Sequence, residues 1–153
     1  MFNSRFVLYL SLLLAVVAVI ALGTSGAWAD NNDVTPSKTW SGSVDDPELL
    51  RDAPACIAHQ TMLEKLWKVW AIPDPLPKVD FNKEIVLVIT GSGSMLQFES
   101  IILNDRGDLK VNAMESLDMV PGFRYIIATV SREGVKTVNG KEVPKVAITI
   151  ASR

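Results

Sequence analysis

A chain of 153 residues with 15 basic and 17 acidic side chains, net −2 at pH 7, has no basic excess with which to hold nucleic acid. One cysteine and one histidine exclude an internal disulfide framework and a zinc site built from four Cys or His ligands. With 48% hydrophobic residues the chain has apolar material for one core of its own, and its length suits a single domain.

The first element is an address. Arg5 precedes an apolar run over 6–23, and Ala27-Trp28-Ala29 follows, just before Asp30. A positive start, an apolar centre and small residues at both specificity positions predict a secretory signal peptide over 1–29, cleaved after Ala29. The apolar run is also close to the length that spans a bilayer, so a retained N-terminal anchor facing outward is the alternative. In either case the remainder is exported, to the periplasm or the extracellular space. Residues 30–38 are polar, with Pro36 and no apolar period, and read as a flexible leader. The domain is then expected over 39–153.

Trp40 and Val44 mark a short strand, and Asp45-Asp46-Pro47 turns the chain away from it. Residues 55–58 form a second short strand containing Cys56, expected as a buried, unpaired thiol. A helix begins at Thr61, where Thr61-Met62-Leu63-Glu64 spells a capping box. Met62, Leu63, Leu66, Trp67 and Trp70 share one helical face, which makes the tryptophans core rather than a ligand platform. Pro73, Pro75 and Pro77 end the helix in a stiff connector.

Beyond the connector the hydrophobic period changes to two. Residues 85–90 are apolar on both faces and predict a central strand. Leu96, Phe98 and Ile102 fall on one side of the next strand, and Ile101 and Leu103 on the other. Asn104 to Gly107 is a turn, followed by a strand with Leu109, Val111 and Ala113. After Pro121-Gly122 comes a strand with two apolar faces, Phe123, Tyr125 and Ile127 against Ile126, Ala128 and Val130. Asn139-Gly140 is a hairpin turn, and Val146, Ile148 and Ile150 form a last strand. The fold class is α+β: one helix packed on an antiparallel, curled or partly closed sheet of about five to six short strands.

No motif in this series carries catalysis. Cys56 and His59 have the spacing of half a metal site, with no second pair to complete it. Gly91-Ser92-Gly93-Ser94 follows a strand but precedes another strand, without the helix that a phosphate loop needs, and reads as a flexible connection. Arg106-Gly107-Asp108 is a three-residue match to an adhesion motif and equally a tight turn. Asp45, Asp46, Asp80 and Glu84 are carboxylates that only folding could pair for acid–base work. Asp80 is placed to bond backbone amides at the strand entry. No cofactor or metal is expected.

From about Ala55 the order of features is similar to a known family. Cys56-Ile57, a helix with Leu66-Trp67, and Pro77-Lys78-Val79-Asp80-Phe81-Asn82-Lys83-Glu84 leading into 85–89 resemble secreted bacterial proteins with a PrcB-type domain. Those are small strand-rich modules, accessory subunits of a protease complex. The resemblance weakens past Ser100. It departs where that family tends to carry Thr-Gly-Gly-Tyr, since this chain reads Thr90-Gly91-Ser92-Gly93. It implies a strand-rich fold and a non-enzymatic role, and it carries over no functional residue.

Charge supplies one candidate surface. Residues 30–118 hold fifteen acids against eight bases, whereas 119–153 hold two acids against six bases. Arg132, Lys136, Lys141 and Lys145 flank the Asn139-Gly140 turn and are the candidate partner-binding residues, facing an acidic partner. The expected function is a non-catalytic binding or accessory module of the envelope, its partner another envelope protein. Membrane contact would come only through an uncleaved signal. The alternatives are an inhibitor or stabiliser of an exported protease and a small carboxylate-dependent enzyme.

Overall fold

A strand that is apolar on both faces needs cover on both, and the two stretches with that pattern lie side by side in the middle of the molecule. The computed structural model describes residues 32–145. In chain order these form β1 (Lys38–Val44), a 3₁₀ helix (Pro47–Leu50), β2 (Cys56–Ile57), α1 (Gln60–Val69), β3 (Glu84–Gly91), β4 (Leu96–Leu103), β5 (Asp108–Glu115), β6 (Phe123–Ser131), β7 (Thr137–Val138) and β8 (Lys141–Glu142). One sheet has the order β1-β6-β3-β2 and is antiparallel throughout. The other has the order β4-β5-β7-β8, with β5 and β7 parallel.

The α+β class is therefore observed, but a single curled sheet of five to six strands is not. Two open four-stranded sheets take its place. The hairpin turn at Asn139-Gly140 is present as expected, but its strands β7 and β8 are two residues each, too short to display a period, and add to the strand count. Alternation along β3 and β6 then separates two cores. Val86, Val88, Phe123, Tyr125 and Ile127 face α1 through Leu63, Leu66, Trp67 and Trp70. Ile85, Leu87 and Val130 face the second sheet through Ile101, Leu109 and Val138. Each fully buried side chain of this kind contributes about 1.5–3 kcal/mol, so β3 and β6 anchor both layers.

The tryptophans are core, as their spacing implies, with Trp67 and Trp70 each only 6% exposed. Trp67 stands edge-on to Trp40, and its indole N–H donates to the Asp74 carbonyl at 2.8 Å. Trp70 packs on Phe123 and Tyr125. The capping box does not form. The helix starts at Gln60, with His59 as its N-cap and no side-chain cap, which puts Thr61 inside the first turn.

Two further expectations change. A bulge between Phe98 and Ser100 shifts the register of β4 on β5. One extra residue moves every later side chain to the other face, so Phe98, Ile101 and Leu103 pack together while Ile102 is exposed. The leader is tied down over its described part. Val34 N–H donates to Ile101 at 2.7 Å, and Leu103 N–H donates to Asn32 at 3.0 Å. Ser37 N–H then reaches Thr129 in β6 at 2.8 Å. Val34 packs against the second core, which supplies the apolar contact that the polar composition of 30–38 conceals. The signal peptide, Asp30 and the last strand at Val146, Ile148 and Ile150 lie outside the described residues. Among the described residues no helix is long and apolar enough to cross a membrane.

Candidate functional site

The basic hairpin forms as its sequence dictates. Asn139 and Gly140 have φ of 48° and 78°, the pair of positive values that a tight hairpin turn requires. The Asn139 side chain also extends the pairing of β7 with β5, accepting from Val111 N–H at 2.9 Å. Of the four candidate cations, Lys136, Lys141 and Lys145 are exposed. Arg132 is half-buried, and its Nη2 donates to the Pro144 carbonyl at 3.3 Å. It holds the segment just after β8 rather than joining an exposed basic face, so three of the four candidate cations remain exposed.

Most other motif residues serve the turns they sit in. Asp108, the acid of the Arg-Gly-Asp triplet, accepts from Thr137 Oγ1 at 2.7 Å and from Gly140 N–H at 2.8 Å. Its second oxygen meets Lys110 Nζ at 2.9 Å. These bonds, Thr137 first, hold its carboxyl down at about 2, and leave none of the free carboxylate that an adhesion motif presents. Asp46 caps the 3₁₀ helix at Glu48 N–H, Asp80 accepts from Asn82 N–H, and Glu84 accepts from Ser37. Asp46, Asp80 and Glu84 thus each have a structural partner, at the 3₁₀ helix, ahead of β3 and at the start of β3. Among the described residues no three His, Cys, Asp or Glu side chains gather as a metal site. Burial pushes the half-buried Cys56 thiol up, with Arg132 opposing.

The feature that the sequence reading missed lies at the far end of the β4–β5 ribbon. The connection after β3 is not loose. Ser92 N–H and Gly93 N–H donate to Glu115 Oε2 at 2.8 and 3.4 Å, and Ser94 N–H donates to Asp118 Oδ1 at 3.2 Å. Met95 N–H donates to Ser116 Oγ at 3.0 Å, and Val120 N–H donates to the Ser92 carbonyl at 3.1 Å. A side chain on Gly93 would run into the Ser116 carbonyl, so glycine is what lets the two segments close. Hydrogen bonds from Ser116 and then Ser94 bring the Asp118 carboxyl down to about 2.

This bracing holds apolar side chains in water. Leu117 is 101% exposed and Met119 86%, with Met95 at 55% and Met114 at 48%. Leu117 and Met119 flank Asp118, whose carboxylate is turned back into the loop pair. Leu117 and Met119 stand two residues apart on a braced loop, which makes this end of the ribbon a candidate contact surface. The segment Leu117-Asp118-Met119-Val120, between the strand with Leu109, Val111 and Ala113 and the break at Pro121-Gly122, has no period, so nothing in its sequence shows which side chains the fold leaves out.

A third feature is a cleft of about 290 Å³ between the 3₁₀ helix and α1, lined by Leu49, Pro54, Met62, Leu66, Val69 and Trp70 with Asp52 and Lys65. Its volume is at the lower limit of ligand sites, which run from about 300 Å³. Comparison with known proteins finds no matching family model, no matching curated protein and no matching solved structure.

Proposed function

We propose that the protein is an exported, non-catalytic binding module that seats the projecting tip around Leu117 and Met119 in an apolar pocket of another envelope protein. The observation that carries this reading is the exposure of both side chains on a loop pair already fixed by hydrogen bonds. A contact loop ordered beforehand loses little entropy on docking. The three exposed lysines of the hairpin are an accessory surface that speeds encounter with an acidic partner and makes it sensitive to salt. The signal peptide and the PrcB-type affiliation belong to the same proposal.

The test is a photo-crosslinking residue placed at position 117, and separately at 141, in the native envelope. Position 117 should give one discrete adduct that excess unlabelled protein competes away. The same excess of a Met119→Asp variant, shown to be folded, should fail to compete. Diffuse labelling from 117, or equal competition by the variant, would remove the tip from the proposal.

The inhibitor reading shares this surface. A projecting loop pinned at Ser116 and at Val120 has the form needed to occupy a protease cleft and keep its shape there. It predicts competitive inhibition of an exported endopeptidase that accepts leucine or methionine, lost in Leu117→Gly.

A further inference from the structure

Three of the five methionines in the sequence, Met95, Met114 and Met119, are exposed at this one end of the molecule. An apolar docking knob would be served as well by leucine or isoleucine. Sulfur adds a property those lack, since a thioether is a soft ligand that selects Cu(I) among biological metals.

The register brings Met95 and Met114 into one neighbourhood. Gln97 lies opposite Met114. Ser116 N–H donates to the Met95 carbonyl at 3.0 Å, which continues the ladder by one more pair, Met95 opposite Ser116. Opposed residues share a face and so do residues two apart. Met95 and Met114 are therefore diagonal neighbours on one face of the ribbon. Their β-carbons are about 7 Å apart by that geometry, within reach of two long flexible side chains. Met119 lies between Asp118, bonded to Ser94, and Val120, bonded to Ser92. One carboxylate bond and one backbone bond thus hold the main chain of Met119 beside the same loop.

The charges agree with a cation. Glu115 and Asp118 belong to this loop pair, and no lysine or arginine occurs over 91–105 or over 111–123. Register sets Arg124 opposite Gly91 at the foot of the loops, where it is half-buried with its Nε enclosed. Both carboxylates already accept backbone amides, so they supply field rather than ligands. A hard divalent ion, which needs several oxygen ligands, is not served by this set.

We propose that Met95, Met114 and Met119 form a three-thioether site for a soft monovalent metal ion, Cu(I), at the tip of the β4–β5 ribbon. The site stands whether or not the same tip docks a protein. Leucine in place of methionine removes the sulfur and keeps the apolar surface, so the two roles separate.

The experiment is a titration with Ag(I), a redox-inert substitute for Cu(I), followed by the methionine methyl resonances. It is done in a Cys56→Ser background, because the only thiol of the chain would compete for a soft ion. The methyls of Met95, Met114 and Met119 should shift together and saturate at one equivalent, while Met62 on α1 stays still. Each single Met→Leu change should weaken Ag(I) by about tenfold or more, and the triple change should abolish saturable binding. Anaerobic Cu(I) should displace Ag(I), and Zn(II) should not. A triple variant that is folded and still binds Ag(I) at one equivalent would overturn the site. So would shifts that include Met62 equally, or displacement by Zn(II), which would assign the binding to carboxylates.

Discussion

Ala71 shows how one residue can follow the rules of a motif and break its preferred composition. The helix ends in a Schellman pattern, with Ile72 N–H bonded to the Trp67 carbonyl and Ala71 N–H to the Lys68 carbonyl. That geometry puts Ala71 at φ 49°, the left-handed region that glycine fills without strain. Left-handed backbone costs a residue with a β-carbon about 1–2 kcal/mol, and glycine gives back about 0.5–1 in chain entropy. Ala71 is exposed and loses no packing on truncation. Ala71→Gly should therefore stabilise the protein by about 0.5–1 kcal/mol, read as a higher urea midpoint with an unchanged slope. A lower midpoint would mean that the cap relaxes in solution. At the same scale Asn139-Gly140 was legible, because two adjacent residues tolerant of positive φ leave the chain few other uses. The cap at Ala71 was not legible, since alanine gives no sign of it.

Among the elements, those with strong periods were readable and those fixed by partners were not. β3 and β6 declared two apolar faces and became the shared wall of both cores. β4 was misread beyond Glu99, because a bulge is decided by what the neighbouring strand can bond. The β7–β8 hairpin is held by Asp108, which ties the start of β5 to Thr137 and to Gly140. A carboxyl that folding brings down to about 2, from an unfolded value near 4, contributes stability that is complete above about pH 4 and lost as pH falls toward 2. Asp108→Asn should lower the melting temperature at pH 6. The gap between variant and wild type should narrow below about pH 4 and close near pH 2. A gap that is constant across that range would show that shape at position 108 matters and its charge does not.

For the molecule as a whole, the leader joins the two sheets before either is otherwise connected by the chain. Its backbone adds to the free edge of β4 through 32–34 and then enters β1 beside β6. Ser37 Oγ lies 2.7 Å from Glu84 Oε1 and 2.6 Å from Thr129 Oγ1, and so helps satisfy a hydroxyl that is only 1% exposed. Composition misled here because a polar strip at a sheet edge needs backbone bonds and one apolar contact, not a period of its own. The tip escaped for the opposite reason, as Leu117 and Met119 look like core material until the fold leaves them outside. The leader's role can be measured by comparing chains that begin at Asp30 and at Lys38. The shorter chain loses three backbone bonds worth about 1 kcal/mol each and the partial burial of Val34. Urea unfolding should thus show a loss of about 2–4 kcal/mol. Amide exchange should rise at Leu103, whose N–H donates to Asn32, more than at the centre of β3, because only the β4 edge loses its partner. Equal stability of the two chains would return 30–38 to the status of a flexible leader.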